Sequence, residues 1–336
     1  MRKSNYLILS SFYFNFNNDL TDIEYVKESF KNQNILDLFR FDNLKNIKGN
    51  QFEYYNLNFI YLPQNIEIIK NYAFDNNQIK ILDLSNCIKL KNIRAGDFTN
   101  NQIKRLKLPE NIEIIYEFAF YKNQIEILDL SNYINLKNIG IYAFEENQIK
   151  QLKLPKNIEK IDEFAFSDNQ IKILDLSNCI NLKTIEMWSF FKNQIKQLKL
   201  PKNIEIIEYS AFKNNQIESL DLSNCIKLKN IREAAFRKNQ IKILILPKNI
   251  EKIGSEAFRC NQIEILDLLH YIKLKEIHEY AFFENPLKEI KILNDIMLNY
   301  DNSNDLWNTF VKYYNDNNKK AGDYKLENNE WKWYPL

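Results

Sequence analysis

Histidine and cysteine, the side chains that most often move protons or hold metals near neutral pH, are few in this chain. Its two histidines, His270 and His278, both lie close to Glu276 and Glu279. Imidazole beside carboxylate can hold a divalent cation or move a proton. The same four residues at turn spacing are also what a solvated surface segment carries, and that is the reading adopted. Three of the four cysteines, Cys87, Cys179 and Cys225, fall in one recurring slot, 92 and 46 residues apart. Zinc sites pair their cysteines within a few residues, so this spacing marks a structural position. Tyr133 and Tyr271 fill the same slot elsewhere, which therefore accepts side chains of different size. Cys260 lies in a turn. No phosphate loop, nucleophile elbow or zinc motif is present, and the many Asp and Glu residues are dispersed. No catalytic residue, metal or cofactor is expected.

The spacing of the slot belongs to the whole chain. Pro63, Pro109, Pro155, Pro201 and Pro247 follow one another at intervals of 46 residues. Asn-Gln followed by isoleucine places Ile79, Ile103, Ile125 and their successors to Ile263 at alternating steps of 24 and 22 residues. Such a period is the mark of a repeat architecture. Eleven repeats start at 33, 57 and 79 and onward to 263, and a further strand starts at 287. Within a repeat, Leu82 and Leu84 alternate with polar positions, the period of a strand. Proline after the second leucine of the short repeats ends that strand. A second short strand is expected around Ile93 or Ile115. Phenylalanine after alanine, as at Phe74, Phe120 and Phe166, fills the core of each coil. The asparagine before glutamine, Asn77 to Asn261, sits at a turn where its side chain can bond backbone groups otherwise buried without partners. With about 4.8 Å between parallel strands, Cys179 and Cys225 stand roughly 10 Å apart, beyond the about 7 Å that a disulfide spans. Reduced, half-buried thiols are expected.

These strings, Leu-Pro-x-Asn-Ile-x-x-Ile and Ala-Phe-x-x-Asn-x-Ile, resemble leucine-rich repeats of the BspA type, over about residues 33–293. Phe310-Val-Lys-Tyr-Tyr, Ala321-Gly-Asp-Tyr and Trp331 resemble the segment that closes many such arrays. The resemblance implies a parallel-stranded solenoid with a binding role and brings no enzymatic residues. It also implies a source among bacteria, protists or large DNA viruses, and the excess of Ile, Asn, Lys and Tyr points to an AT-rich genome.

The expected fold is a single right-handed parallel β-solenoid with non-repeat caps, residues 1–32 and 294–336, because an array exposes an apolar cross-section at each end. Thr21 or Asp22 is expected to cap a short helix through Phe30. A helix from Asp305 to about Asn315, carrying Leu306, Phe310 and Tyr314, is expected to precede a hairpin with Tyr324, Leu326, Trp331 and Trp333. Arg2 and Lys3 before an apolar run hint at a secretion signal, but Asn15, Asn17 and Asn18 follow and no small-x-small cleavage site does. No run reaches the about 18 apolar residues of a membrane span. A net charge of +2 gives no cause to expect nucleic acid or an anionic membrane as partner.

The outward residues of the first strand carry what binding signal there is. Four residues into each repeat stand Asp37, Tyr61, Asp83, Lys107, Asp129, Lys153, Asp175, Lys199, Asp221, Ile245 and Asp267. Acid and base alternate and should pair across strands. The exceptions are Ile243 and Ile245, with Ile265 one strand on, and Phe59 and Tyr61 near the other end, flanked by Ile35 and Ile81. Exposed apolar residues of this kind mark interfaces, and coverage by a cap competes with that reading at Phe59. The expected function is a monomeric, non-enzymatic scaffold that binds a protein partner in the cytoplasm of a cell or infected host. An exported adhesin and a self-assembling structural component are the alternatives.

Overall fold

The computed structural model describes residues 34–39, 41–299 and 304–336, together with the backbone of Tyr6–Ile8. The helix expected from Thr21 or Asp22 to Phe30 lies outside the described residues. The chain forms two compact units, Met1–Gln170 and Ile171–Leu336, and each is built from coils of parallel β-solenoid.

In the first unit every coil opens with a three-residue strand. Ile35–Asp37 pairs in parallel with Phe59–Tyr61, Ile81–Asp83 with Arg105–Lys107, and Ile127–Asp129 with Gln151–Lys153. Tyr6–Ile8 adds a parallel strand beside Ile35–Asp37. The central residue of each strand points inward, as Leu36, Leu82 and Leu128 do, while its neighbours face out. Two-residue strands follow on a second side: Asn46–Ile47 pairs with Ile68–Ile69, and Asn92–Ile93, Ile114–Ile115, Asn138–Ile139 and Lys160–Ile161 form one parallel ladder. The alternation of leucines thus becomes strand, and the second strand falls where Ile93 and Ile115 lead one to expect it.

The column of Phe52, Phe74, Phe98, Phe120, Phe144 and Phe166 runs through this unit, every ring fully buried. Adjacent ring centroids are 5.2 to 5.7 Å apart and nearly parallel. Beside it runs a column of asparagines. Asn147 Oδ1 accepts from the Ile125 amide at 3.1 Å, and its Nδ2 donates to the Phe120, Phe144 and Glu145 carbonyls at 2.9, 3.2 and 3.3 Å. Asn77, Asn101, Asn123 and Asn169 reach back to the preceding coil in the same way. Each asparagine satisfies backbone groups that no water reaches.

The residues two before and two after each phenylalanine take left-handed backbone conformations, among them Phe118 and Lys122 at φ 57° and 53°. Large side chains seldom occur there. Gly96, at φ 65°, is the glycine of the series, and a β-carbon on it would stand 2.2 Å from the Tyr72 ring, which lies over it.

The second unit repeats the plan. Ile173–Asp175 pairs with Gln197–Lys199, Ser219–Asp221 with Ile243–Ile245, and Ile265–Asp267 with Glu289–Ile292. Thr184–Ile185, Ile206–Ile207, Asn230–Ile231, Lys252–Ile253, Glu276–Ile277 and Met297–Leu298 make the second ladder. The column from Phe190 to Phe282 ends against Trp307, 5.0 Å from Phe282. Trp307 lies on the helix Leu306–Asp316, whose N-terminus is capped by Asp305 Oδ1 accepting from the Trp307 amide at 2.8 Å. Its buried residues are Trp307, Asn308, Phe310, Val311 and Tyr314, and Leu306, expected beside Phe310 and Tyr314, is half-buried. The hairpin Gly322–Glu327 and Glu330–Tyr334 joins antiparallel to Glu289–Ile292 and lays Trp331 on Phe310 at 5.4 Å. Asn328 and Asn329, both left-handed, supply the two-residue turn that suits the twist of a hairpin.

Candidate interaction surface

The first strands place two outward residues on every coil. In the second outward slot, the expected acid–base pairing is present. Lys107 Nζ stands 3.1 Å from Asp83, Lys153 3.0 Å from Asp129, and Lys199 3.7 Å from Asp175. The carboxylates are held again from the next turn: the Ser131 hydroxyl donates to Asp129 at 2.6 Å and the Ser131 amide at 3.1 Å. Asp129 consequently lies below the usual carboxylate range, through the Ser131 hydroxyl foremost and, against partial burial, the Ser131 amide and Lys153. A partner docking here would have to strip water from groups already satisfied, for little return.

Ile245 breaks the pattern. It stands in register with Asp221, where sister strands carry lysine, and Ile243 stands in register with Ser219. Ile243, Ile245 and Ile265 are 59%, 40% and 58% exposed. Below them the Leu246 amide donates to the Tyr271 hydroxyl at 3.0 Å, as the Leu108 amide does to Tyr133 at 3.1 Å. This gives the tyrosines of the cysteine slot a purpose that size alone did not suggest: they reach back one coil and satisfy a strand-end amide. In the first unit Tyr61 is half exposed and Phe59 half buried, in register with Asp37 and Ile35.

The first outward slot holds more than the sequence reading found in it. Ile127 and Ile173 are as exposed as Ile243, and Ile81 somewhat less so. Isoleucine in that slot is therefore a regular feature of the long repeats. What sets Ile245 and Tyr61 apart is an apolar residue in the second slot, where charge is the rule. A further exposed series, Ile88, Ile134, Ile180, Ile226 and Ile272, lies in the turn after the first strand of the long repeats.

The remaining reactive groups stay apart. His278 Nε2 lies 3.0 Å from Glu276, which also takes Lys252 at 2.9 Å. Lys252 foremost keeps Glu276 below its ordinary range. Among the described residues no group of three or more His, Cys, Asp or Glu could hold a metal ion. Cys87, Cys179 and Cys225 form no disulfide and are buried, and burial first, then the nearby Asp83, Asp175 and Asp221, pushes each thiol up to about 11. Cys260 is half exposed and donates to Glu284 at 2.6 Å. Among the described residues no helix is long and apolar enough to cross a membrane.

Coil, ladder and asparagine column together define a leucine-rich repeat protein. Residues 21–135, 86–193, 115–240 and 183–303 match the BspA type leucine rich repeat region, and the chain belongs to that family. No curated protein matches it. Solved structures similar to it include YopM, a leucine-rich effector protein from Yersinia pestis, at 20% identity and TM-score 0.40, covering 80% of this chain and 65% of that one. The pneumococcal vaccine antigen PcpA is 17% identical at TM-score 0.41, over 85% and 77%. The LRIM1/APL1C complex is 14% identical at TM-score 0.50, over 90% of this chain and 58% of that chain. The chain thus spans less than two thirds of YopM and of the LRIM1/APL1C chain.

Proposed function

We propose that this protein is a non-enzymatic scaffold that captures a protein partner on the isoleucine face of its second unit. One observation carries the reading: Ile245 occupies an outward slot that holds a charge in every other coil but that of Tyr61, and it stands with Ile243 and Ile265, all exposed. Their burial against an apolar partner surface returns about 25 cal/mol per Å² with no polar group to desolvate. Four cysteines that form no disulfide support a reducing compartment inside a cell. The test replaces Ile243 with Gln and Ile245 with Lys, the residues of the sister strands Gln151–Lys153 and Gln197–Lys199. The fold should be unchanged and partner capture should weaken at least about tenfold, equivalent to about 1.4 kcal/mol. Undiminished capture by this variant, with loss on changing Lys153 and Lys199, would move the site to the charged face.

A further inference from the structure

The turn after each buried phenylalanine carries two side chains per coil, the first of them buried at Asp75, Thr99 and Ser167, and the charge of these turns changes sign between the units. In the first unit the charged residues there are Glu53, Asp75, Lys122, Glu145, Glu146 and Asp168, a formal charge of −4. In the second they are Lys192, Lys213, Arg237, Lys238, Arg259 and Glu284, a formal charge of +4. Repulsion within each set acts in the same direction as burial. Burial first, then Asp168 and Glu146, pushes Glu145 up to about 7. Burial first, then Arg237, lowers Lys213. Part of the basic set is answered internally: Arg237 and Arg259 share Glu256, and Arg259 also bonds Glu284 at 3.1 Å. Lys238 is exposed, and Lys213 lies half exposed with its ammonium 5.9 Å from the Phe191 ring.

We propose that the basic turn row of the second unit docks the acidic turn row of a second copy of this chain. The argument is complementarity of charge and of step. Both rows are carried on coils of the same 24- and 22-residue alternation, and parallel strands stack at a common spacing of about 4.8 Å. The common step lets the acidic coils of Glu145, Glu146 and Asp168 face the basic coils of Lys213, Arg237, Lys238 and Arg259 coil by coil, while Lys122 is answered by Glu146 at 3.7 Å within its own row. An anion with a different repeat, such as a nucleic-acid backbone, has no such match. Each exposed pair contributes little, so the association is weak, fast and governed by salt, and it operates independently of the isoleucine face.

The slot chemistry supplies clean variants. Glutamate already occupies the Lys213 slot at Glu145 and the Lys238 slot at Glu146 and Glu284, while lysine occupies the slots of Glu145 and Glu146 at Lys213 and Lys122. Lys213→Glu with Lys238→Glu, and separately Glu145→Lys with Glu146→Lys, should therefore fold. Sedimentation velocity at about pH 8 should show wild-type association at about 20 mM salt that vanishes at about 500 mM. Each double variant alone should lose it, and a mixture of the two should regain it. Wild-type protein that sediments as a monomer at low salt, or an acidic-row or basic-row variant that still self-associates, would overturn the proposal. So would wild type that ignores its own copies but binds a short single-stranded oligonucleotide through Lys213 and Lys238, which would assign the row to nucleic acid.

Discussion

Replacing Asn147 with alanine tests whether the asparagine column, more than side-chain packing, ties one coil to the next. The side chain is buried and makes one acceptor contact and three donor contacts. Truncation leaves the buried Ile125 amide without a partner, at a cost of about 1–3 kcal/mol. The Phe120 carbonyl also loses the amide that reached it at 2.9 Å, which adds about 1 kcal/mol. The expected loss is about 2–4 kcal/mol in urea unfolding. Asn147→Asp sharpens the test, because it keeps an oxygen for the Ile125 amide and turns the donor into a second acceptor facing carbonyls. At neutral pH it should cost more than alanine, since a buried carboxylate then faces backbone oxygens. At acid pH the protonated side chain can donate once, and part of the stability should return. In a linear array the damage stays near its origin, so the Ile125 amide should exchange with solvent faster than amides several coils away. A loss below about 1 kcal/mol on truncation, or an aspartate variant as stable as wild type at neutral pH, would refute the reasoning.

Glu145 should make stability fall as pH rises. Its folded value of about 7 exceeds the ordinary 4.5, so its contribution is complete below about 4.5 and is lost as pH passes 7. Glu145→Gln should match wild type at pH about 4 and exceed it by about 1 kcal/mol at pH about 8, a figure kept small because the carboxyl is half exposed; urea midpoints at the two values decide the matter, and an equal gain at both would refute it. The thiols should be sluggish in the folded protein: at pH about 8 maleimide should reach Cys260 first, and Cys87, Cys179 and Cys225 only after denaturation, because the thiolate is the reactive form and burial opposes it. Mass spectrometry that found several thiols of the folded protein labelled together would contradict this.

The sequence disclosed the parts of the fold in which one residue type has one task in every coil. Leu82 and Leu128 point inward, Phe120 fills the centre, and Asn147 satisfies the coil before it; each recurs because no other residue does the same work. The left-handed turns were invisible for the opposite reason. Their slots hold Tyr142, Trp188, Ser210, Ala234 and Glu256, types that give no local hint of φ above zero. Tertiary hydrogen bonds impose the conformation: the amides of Phe118, Phe120 and Lys122 donate to the Ile141, Ala143 and Glu145 carbonyls of the following coil at 2.8 to 3.0 Å. Three such bonds, at about 1 kcal/mol each, outweigh the strain of two left-handed residues at a similar individual cost. The corner before each first strand is where the period of two stops. Ile79 is buried and Ile81 exposed although they share parity, because Ile79 sits at the corner where its amide meets Asn101, and the strand phase starts afresh at Ile81. Alternation fixes inside and outside only within one strand, so Ile79 and Ile81 take opposite sides. The charge reversal at the turns escaped for a simpler reason: those slots tolerate Glu, Lys, Asn, Asp and Cys alike, so the repeat places no demand on them. Freedom from structural demand is what leaves Lys213, Lys238, Glu145 and Glu146 available for recognition, and it is the same freedom that keeps any partner from being legible in the repeat itself.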